Sequence, residues 1–228
     1  MAFNAQPATC SAQRTTRNPQ RATRNPQLGI MKSKTARQNQ WQDHYSRQAK
    51  KDRYPARSVY KLEEIQQKHR LIKKGDKILD LGCSPGSWLL YAAKLTGDKG
   101  RVIGIDLKPV KIPAASNIEI TTADVFAVDA GSLGSDFNVV LSDMAPATTG
   151  HKGVDAARSA GLCEAALAIA QSVLLPGGSF VCKIFQGSDF NHFLDSVRAG
   201  FDKQKIFKPR SSRKASKEIF VIGLGLKK

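Results

Sequence analysis

Residues 77–88, Lys-Ile-Leu-Asp-Leu-Gly-Cys-Ser-Pro-Gly-Ser-Trp, constrain the fold more than any other stretch. Ile78 to Leu81 is a short apolar run with one acid, Asp80, near its end. Gly82-Cys83-Ser84-Pro85-Gly86 follows as a tight turn, and Trp88 to Ala93 reads as a helix. Strand, glycine turn and helix in this order open nucleotide sites in α/β proteins, because backbone N–H groups at a helix N-terminus face the ligand. Gly82 lets the chain turn where a side chain would clash, and Gly86 lets the backbone come close to a ligand. The spacing is Gly-x-x-x-Gly, not Gly-x-Gly-x-x-Gly, which counts against a dinucleotide fingerprint. Two glycines alone leave an ordinary strand–helix turn open, so the chain downstream decides.

Downstream, strands alternate with helices. Arg101 to Asp106, Ile118 to Thr121, Phe137 to Leu141 and Ser179 to Lys183 read as further strands. Lys203 to Lys208 is a short one and Glu218 to Leu224 an apolar last one. Ala156 to Leu175 is a long helix closed by Pro176-Gly177-Gly178, and Phe190 to Ala199 is another. Alternation of this kind predicts a parallel sheet covered on both faces. Asp106, Asp124, Asp143 and Lys183 each stand at or just past the carboxyl end of a strand, the edge where ligands bind in open α/β sheets. One such acid is more often a turn residue; four together predict a site.

The N-terminal part differs. Residues 1–42 hold seven Lys or Arg and no acid, and Thr16-Arg17-Asn18-Pro19-Gln20 recurs as Thr23-Arg24-Asn25-Pro26-Gln27. Two polar copies do not make a solenoid, and such a composition cannot bury enough surface to fold alone. We expect a disordered basic arm over 1–42 and one domain over 43–228. An Arg-rich, acid-free start is also a feature of organelle transit peptides, although amphipathic leucine periodicity is lacking. In residues 43–57, Tyr45 and Tyr54 are interleaved with Arg47, Lys50, Lys51, Arg53 and Arg57, a mixture suited to stacking on bases beside phosphate contacts. Ser58 then reads as an N-cap, with Val59, Leu62 and Ile65 at helical spacing through His69. Lys61 lies inside this helix and, on local sequence alone, reads as a solvated surface lysine.

The formal net charge is +17, and both the first 60 residues and the remainder are basic, which predicts a polyanionic partner. No apolar run approaches the roughly 20 residues that span a bilayer, and the start lacks the apolar core of a secretory signal. Cys10, Cys83, Cys163 and Cys182 form no C-x-x-C pair, and the four histidines have no metal-ligand spacing. We expect reduced thiols, no metal and a cytoplasmic protein.

With these elements in place, the chain resembles a class I S-adenosylmethionine-dependent methyltransferase. More narrowly it resembles the FtsJ/RrmJ family of ribosomal RNA ribose 2′-O-methyltransferases, over roughly residues 41–228. Five stretches in order carry the resemblance: Ala56-Arg57-Ser58-Val59-Tyr60-Lys61-Leu62, Asp80-Leu81-Gly82-Cys83-Ser84-Pro85-Gly86-Ser87-Trp88, Ser142-Asp143-Met144-Ala145-Pro146, Val181-Cys182-Lys183-Ile184-Phe185-Gln186-Gly187, and Arg210-Ser211-Ser212-Arg213 with Ser216-Lys217-Glu218. Two features depart from the family: Ser87 stands where glycine is usual, and the arm is longer than typical. The resemblance implies a Rossmann-like, mostly parallel seven-stranded sheet with helices on both faces and an antiparallel last strand. It implies that the family's catalytic Lys-Asp-Lys-Glu tetrad falls on Lys61, Asp143, Lys183 and Glu218. It implies S-adenosylmethionine as cofactor, bound at Gly82, Gly86, Trp88, Asp106, Asp124 and Asp143, with Asp106 on the ribose hydroxyls and Asp124 on the adenine amino group. For Trp88, simple core packing is an equally good reading.

A ribose hydroxyl is a weak acid and a poor nucleophile, so methylating it requires a base or a strong orienting group. Lysine acts as a base only when neutral, well below its usual pKa of about 10.4. Lys61 would push Lys183 toward neutrality, whereas Asp143 and Glu218 would oppose this. Lys183 is expected to be the base, or otherwise a charge that steadies the developing alkoxide. The expected substrate is a uridine of large-subunit ribosomal RNA, met as free RNA or in the subunit, by a monomeric enzyme. The alternatives are another RNA such as transfer RNA, or a non-catalytic RNA-binding assembly factor. A base-amino methylase is disfavoured because Met144-Ala145-Pro146-Ala147 offers no stacking ring after the fourth strand. A nicotinamide oxidoreductase has the wrong glycine spacing.

Overall fold

The computed structural model describes residues 1–2, 44–213 and 216–227, so the expectation of a disordered arm lies outside the described residues. Seven strands form one sheet: β1 (Lys77–Leu81), β2 (Arg101–Asp106), β3 (Ile118–Thr122), β4 (Phe137–Ser142), β5 (Leu174–Phe185), β6 (Phe201–Phe207) and β7 (Glu218–Leu226). Their spatial order is β3-β2-β1-β4-β5-β7-β6. β1 to β5 are mutually parallel, and β7 runs antiparallel to both β5 and β6. The helices are α1 (residues 44–51), α2 (Val59–His69), α3 (Ser87–Thr96), α4 (Lys152–Val173) and α5 (Phe190–Gly200). No described helix is long and apolar enough to cross a membrane.

The central strands read as continuous apolar runs because both sheet faces are covered. Successive residues point to opposite faces. Leu79, Leu81, Phe180 and Cys182 pack with α4 and α5, whereas Ile78, Val139, Leu141 and Val181 pack with α2 and α3. β3 lies at one edge and is largely exposed.

Three local expectations are corrected. The long helix ends at Val173, and β5 begins at Leu174, which pairs with Phe137. Pro176-Gly177-Gly178 is therefore a bulge within the strand, not a separator, and regular pairing resumes at Ser179↔Val139. Ser58 occupies the N-cap position but has helical backbone angles, and its side chain makes no capping bond. Successive i→i+3 turns start α2 instead: Val59 N–H to Ala56 O, Tyr60 N–H to Arg57 O and Lys61 N–H to Ser58 O. Tyr45 and Tyr54 are not presented for base stacking. They pack in edge-on or tilted contacts on Tyr60 and Tyr91, at ring separations of 5.3 and 6.4 Å, and so dock residues 44–54 onto α2 and α3.

Candidate active site

The parallel strands deliver their carboxyl ends to one edge of the sheet. Asp106 ends β2, Asp143 follows β4, and Lys183 lies near the end of β5. Because β7 runs the other way, its first residue reaches the same edge: Phe185 pairs with Glu218, and Lys183 with Phe220. Lys61 arrives from α2.

These four side chains meet. Lys183 Nζ donates to the Asp143 carbonyl at 2.5 Å and lies 3.0 Å from Asp143 Oδ1. Lys61 Nζ donates to Glu218 Oε2 at 3.1 Å and lies 3.7 Å from Asp143 Oδ1. Asp143 Oδ1 is buried and meets both lysines as ion pairs, not as well-formed hydrogen bonds. Lys183 is 6% exposed and Lys61 12%, so the reading of Lys61 as a solvated lysine does not hold. Two ammoniums and two carboxylates alternate, and none of these buried charges is left without an opposite one. Burial pushes the Glu218 carboxyl up, but the Lys61 ammonium, the neighbouring Ser212 and Lys183 outweigh it and hold the group below its usual range.

Beside this quartet lies the glycine turn. Gly82 and Gly86 both have positive φ, 77° and 103°. A Cβ at Gly82 would overlap Met144, and one at Gly86 would overlap Ile112. The glycines thus let the turn pack under Met144 and the 110–112 loop, a demand of the protein's own chain as well as of any ligand. Asp106 Oδ2 accepts from Ser84 N–H at 2.9 Å and Oδ1 from Lys108 N–H at 2.8 Å, tying β2 to this turn. Asp124 Oδ1 accepts from Phe126 N–H at 3.0 Å. Trp88 is 3% exposed and stacks on Phe220 at 5.9 Å, so its ring belongs to the core.

Three residues to which the sequence reading gave no role belong to this edge. Leu107 and Phe126 are 67% and 64% exposed, and follow shortly after Asp106 and Asp124. An apolar residue just beyond a strand-end acid was the available signal. Asp80 is 1% exposed, and neither carboxylate oxygen has a hydrogen-bond partner among the described residues. Its signal was a lone acid within an apolar central strand. Burial, then Asp143 and Asp106, raise its carboxyl well above the usual 3.8. A raised folded-state pKa means that Asp80 costs stability above its unfolded value, and costs more as pH rises toward the folded one. Asp80→Asn is therefore expected to stabilise the cofactor-free protein at neutral pH, with a gain that fades toward about pH 4. Thermal unfolding of both proteins across this range is the check, and a pH-independent difference would contradict the assignment.

A family model for FtsJ-like methyltransferases matches residues 54–226. The Ribosomal RNA large subunit methyltransferase E of Desulforapulum autotrophicum is 56% identical over 194 residues, spanning 84% of this chain and 96% of that protein. The protein of the same name from Bdellovibrio bacteriovorus is 46% identical over 192 residues, spanning 81% and 97%. A solved structure from Plasmodium falciparum, described as a ribosomal RNA methyltransferase, superposes with a TM-score of 0.67 at 26% identity, covering 76% of this chain and 98% of that one. With its seven-stranded sheet, glycine turn and buried Lys-Asp-Lys-Glu quartet, this chain belongs to the FtsJ-like methyltransferase family.

Proposed function

We propose that the protein transfers a methyl group from S-adenosylmethionine to a ribose 2′-hydroxyl of large-subunit ribosomal RNA, at a uridine, during ribosome assembly. The observation that carries this reading is the buried Lys183, held by Asp143 at the edge where the glycine turn opens. The names of the relatives support ribosomal RNA as substrate. The basic balance of the chain supports a polyanion. So does Arg57, half-buried among Arg213 and Glu218: burial first, then Arg213, lowers its pKa, a setting that a phosphate would relieve. The enzyme acts as a monomer in the cytoplasm.

The residues present fit the cofactor. Asp80 offers two buried acceptors without partners, suited to the ammonium of the methionine part. Gly82 and Gly86 shape the turn beside it, the backbone at Trp88 lies in the first turn of α3, and Asp143 borders the methionine end. Asp106 would accept from the ribose hydroxyls and Asp124 from the adenine amino group, with Leu107 and Phe126 as apolar cover for the ring. Bound S-adenosylmethionine supplies an electrophilic methyl on a sulfonium. The protein's own work is to align the hydroxyl with it and manage one proton. Asp143 occupies two directions around Lys183 Nζ and leaves a third for the substrate hydroxyl. As the base, neutral Lys183 takes the hydroxyl proton and becomes the ammonium that Asp143 pairs. A second reading has Lys183 charged throughout and steadying the developing alkoxide, while the hydroxyl proton leaves to solvent as the methyl–oxygen bond forms and the methyl–sulfur bond breaks. The carbonyl and carboxylate oxygens of Asp143 around its nitrogen favour it.

Labelled methyl transfer to large ribosomal subunits and to bulk transfer RNA, both from a strain lacking the gene, tests the function. Incorporation into the subunits alone is expected, and incorporation only into transfer RNA would overturn the substrate. In this assay Lys183→Ala should lower turnover by at least ~10²-fold with cofactor affinity nearly unchanged. Lys183→Arg keeps the charge but cannot act as a base at neutral pH. Substantial turnover in folded Lys183→Arg would select the electrostatic role, and wild-type turnover in both variants would refute the tetrad.

Asp106→Ala should weaken S-adenosylmethionine binding at least about tenfold, the loss expected for charge-assisted hydrogen bonds. Unchanged affinity by calorimetry would remove Asp106 from the site. The stretch 1–42 is assigned to RNA contact and not to chemistry. Deleting residues 1–40 should flatten the salt dependence of RNA binding, since fewer counterions are released, while turnover at saturating RNA survives. A truncated protein that binds cofactor but methylates at no RNA concentration would contradict this.

A further inference from the structure

The start of α2 has no side-chain cap of its own, yet the helix carries Lys61 into a buried contact with little tolerance. Its backbone is held from α3. Ser87 Oγ accepts from Ala56 N–H at 2.8 Å and donates to Ala56 O at 3.1 Å. The neighbouring Trp88 Nε1 donates to Ser58 O at 2.8 Å, the carbonyl that also accepts from Lys61 N–H at 3.0 Å. Ser87 and Trp88 are 1% and 3% exposed, and they are the first two residues after Gly86. The backbone that forms the glycine turn therefore also grips both sides of Arg57, one helical turn before Lys61. A hydroxyl can accept from a peptide N–H and donate to the C=O of the same residue. A glycine at this place could do neither.

We propose that Ser87 is a positioning residue for Lys61: its two bonds to Ala56, with Trp88 Nε1 on Ser58, lock the lysine helix to the cofactor turn. This rests on the reading that Lys61 belongs to the reactive group. Losing the staple leaves the Ala56 N–H without its partner and Ala56 O with only the long 3.5 Å bond from Val59 N–H, and frees the first turn of α2 to shift. Lys61 Nζ stands 3.1 Å from Glu218 and 3.7 Å from Asp143, so a shift of an ångström breaks the pairing. The glycine turn, held independently by Asp106 through Ser84 N–H, keeps its shape.

The test uses the full chain with Ser87→Ala, Trp88→Phe and Lys61→Met. It compares turnover at saturating cofactor and RNA, calorimetric affinity for S-adenosylmethionine, and hydrogen exchange over residues 56–61. Ser87→Ala is expected to lose ~10-fold in turnover, the scale of a small misplacement, with cofactor affinity within about twofold of wild type. Exchange should quicken at 56–61 and not in the body of α3. Wild-type turnover in folded Ser87→Ala overturns the proposal. So does lower turnover with unchanged exchange at 56–61, or a loss of cofactor affinity as large as the loss of turnover. If Ser87→Ala does not fold, Trp88→Phe decides by turnover and by exchange at 56–61, because it removes the Nε1–H donor to Ser58 O and keeps a smaller aromatic ring. Full turnover in Lys61→Met would instead refute the role of Lys61, and the exchange data would still show whether the staple exists.

Discussion

The antiparallel pairing of β7 against β5 decides where the reactive side chains stand. Seven residue pairs, from Ser179↔Leu224 to Phe185↔Glu218, fix that register. A slip of one residue would turn Glu218 to the opposite face and break its contact with Lys61. Phe220 anchors the pairing: it is fully buried, sits opposite Lys183 and stacks on Trp88. The same indole grips α2 through Ser58 O. Core packing and site geometry are thus set by shared residues, and a change in either is felt in the other.

The electrostatics of this edge are costly in isolation. Lys183 and Asp80 are nearly or wholly out of water. For the lysines, Asp143 and Glu218 offset that cost by direct ion pairing. Asp80 has no such offset among the described residues, and Asp143 and Asp106 add to its cost. In the proposed reading, Asp80 gives up stability for recognition of the cofactor's ammonium, a compromise common at functional sites. A cation bound there would convert the liability into affinity.

Much of the fold was legible in the sequence because strands buried on both faces leave a clear signature. Asp106, Asp143 and Lys183 were legible from their places at strand ends, whereas Glu218 was reached only through the family resemblance, which implies an antiparallel last strand. The arrival of Lys61 was not. It depends on how α2 docks, and that depends on hydrogen bonds from Ser87 and Trp88 more than 25 residues away in sequence. Tyr45 and Tyr54 misled for the same reason: rings among cations are equally suited to stacking on bases or on other tyrosines, and only tertiary packing distinguishes the two. The bulged start of β5 was hidden because Pro176-Gly177-Gly178 has the composition of a loop, although Leu174 before it already pairs with Phe137.

Ribose methylation leaves a chemical mark that can be read directly. Alkaline cleavage of RNA proceeds through the 2′-hydroxyl, so a methylated ribose gives a resistant linkage. Such linkages can be mapped across large-subunit ribosomal RNA from a strain lacking the gene, and from the same strain supplied with wild-type protein or Lys183→Ala. One resistant linkage, at a uridine, should be missing without the protein, return with wild type and stay missing with Lys183→Ala. A complete set of resistant linkages in the strain lacking the gene would contradict the account.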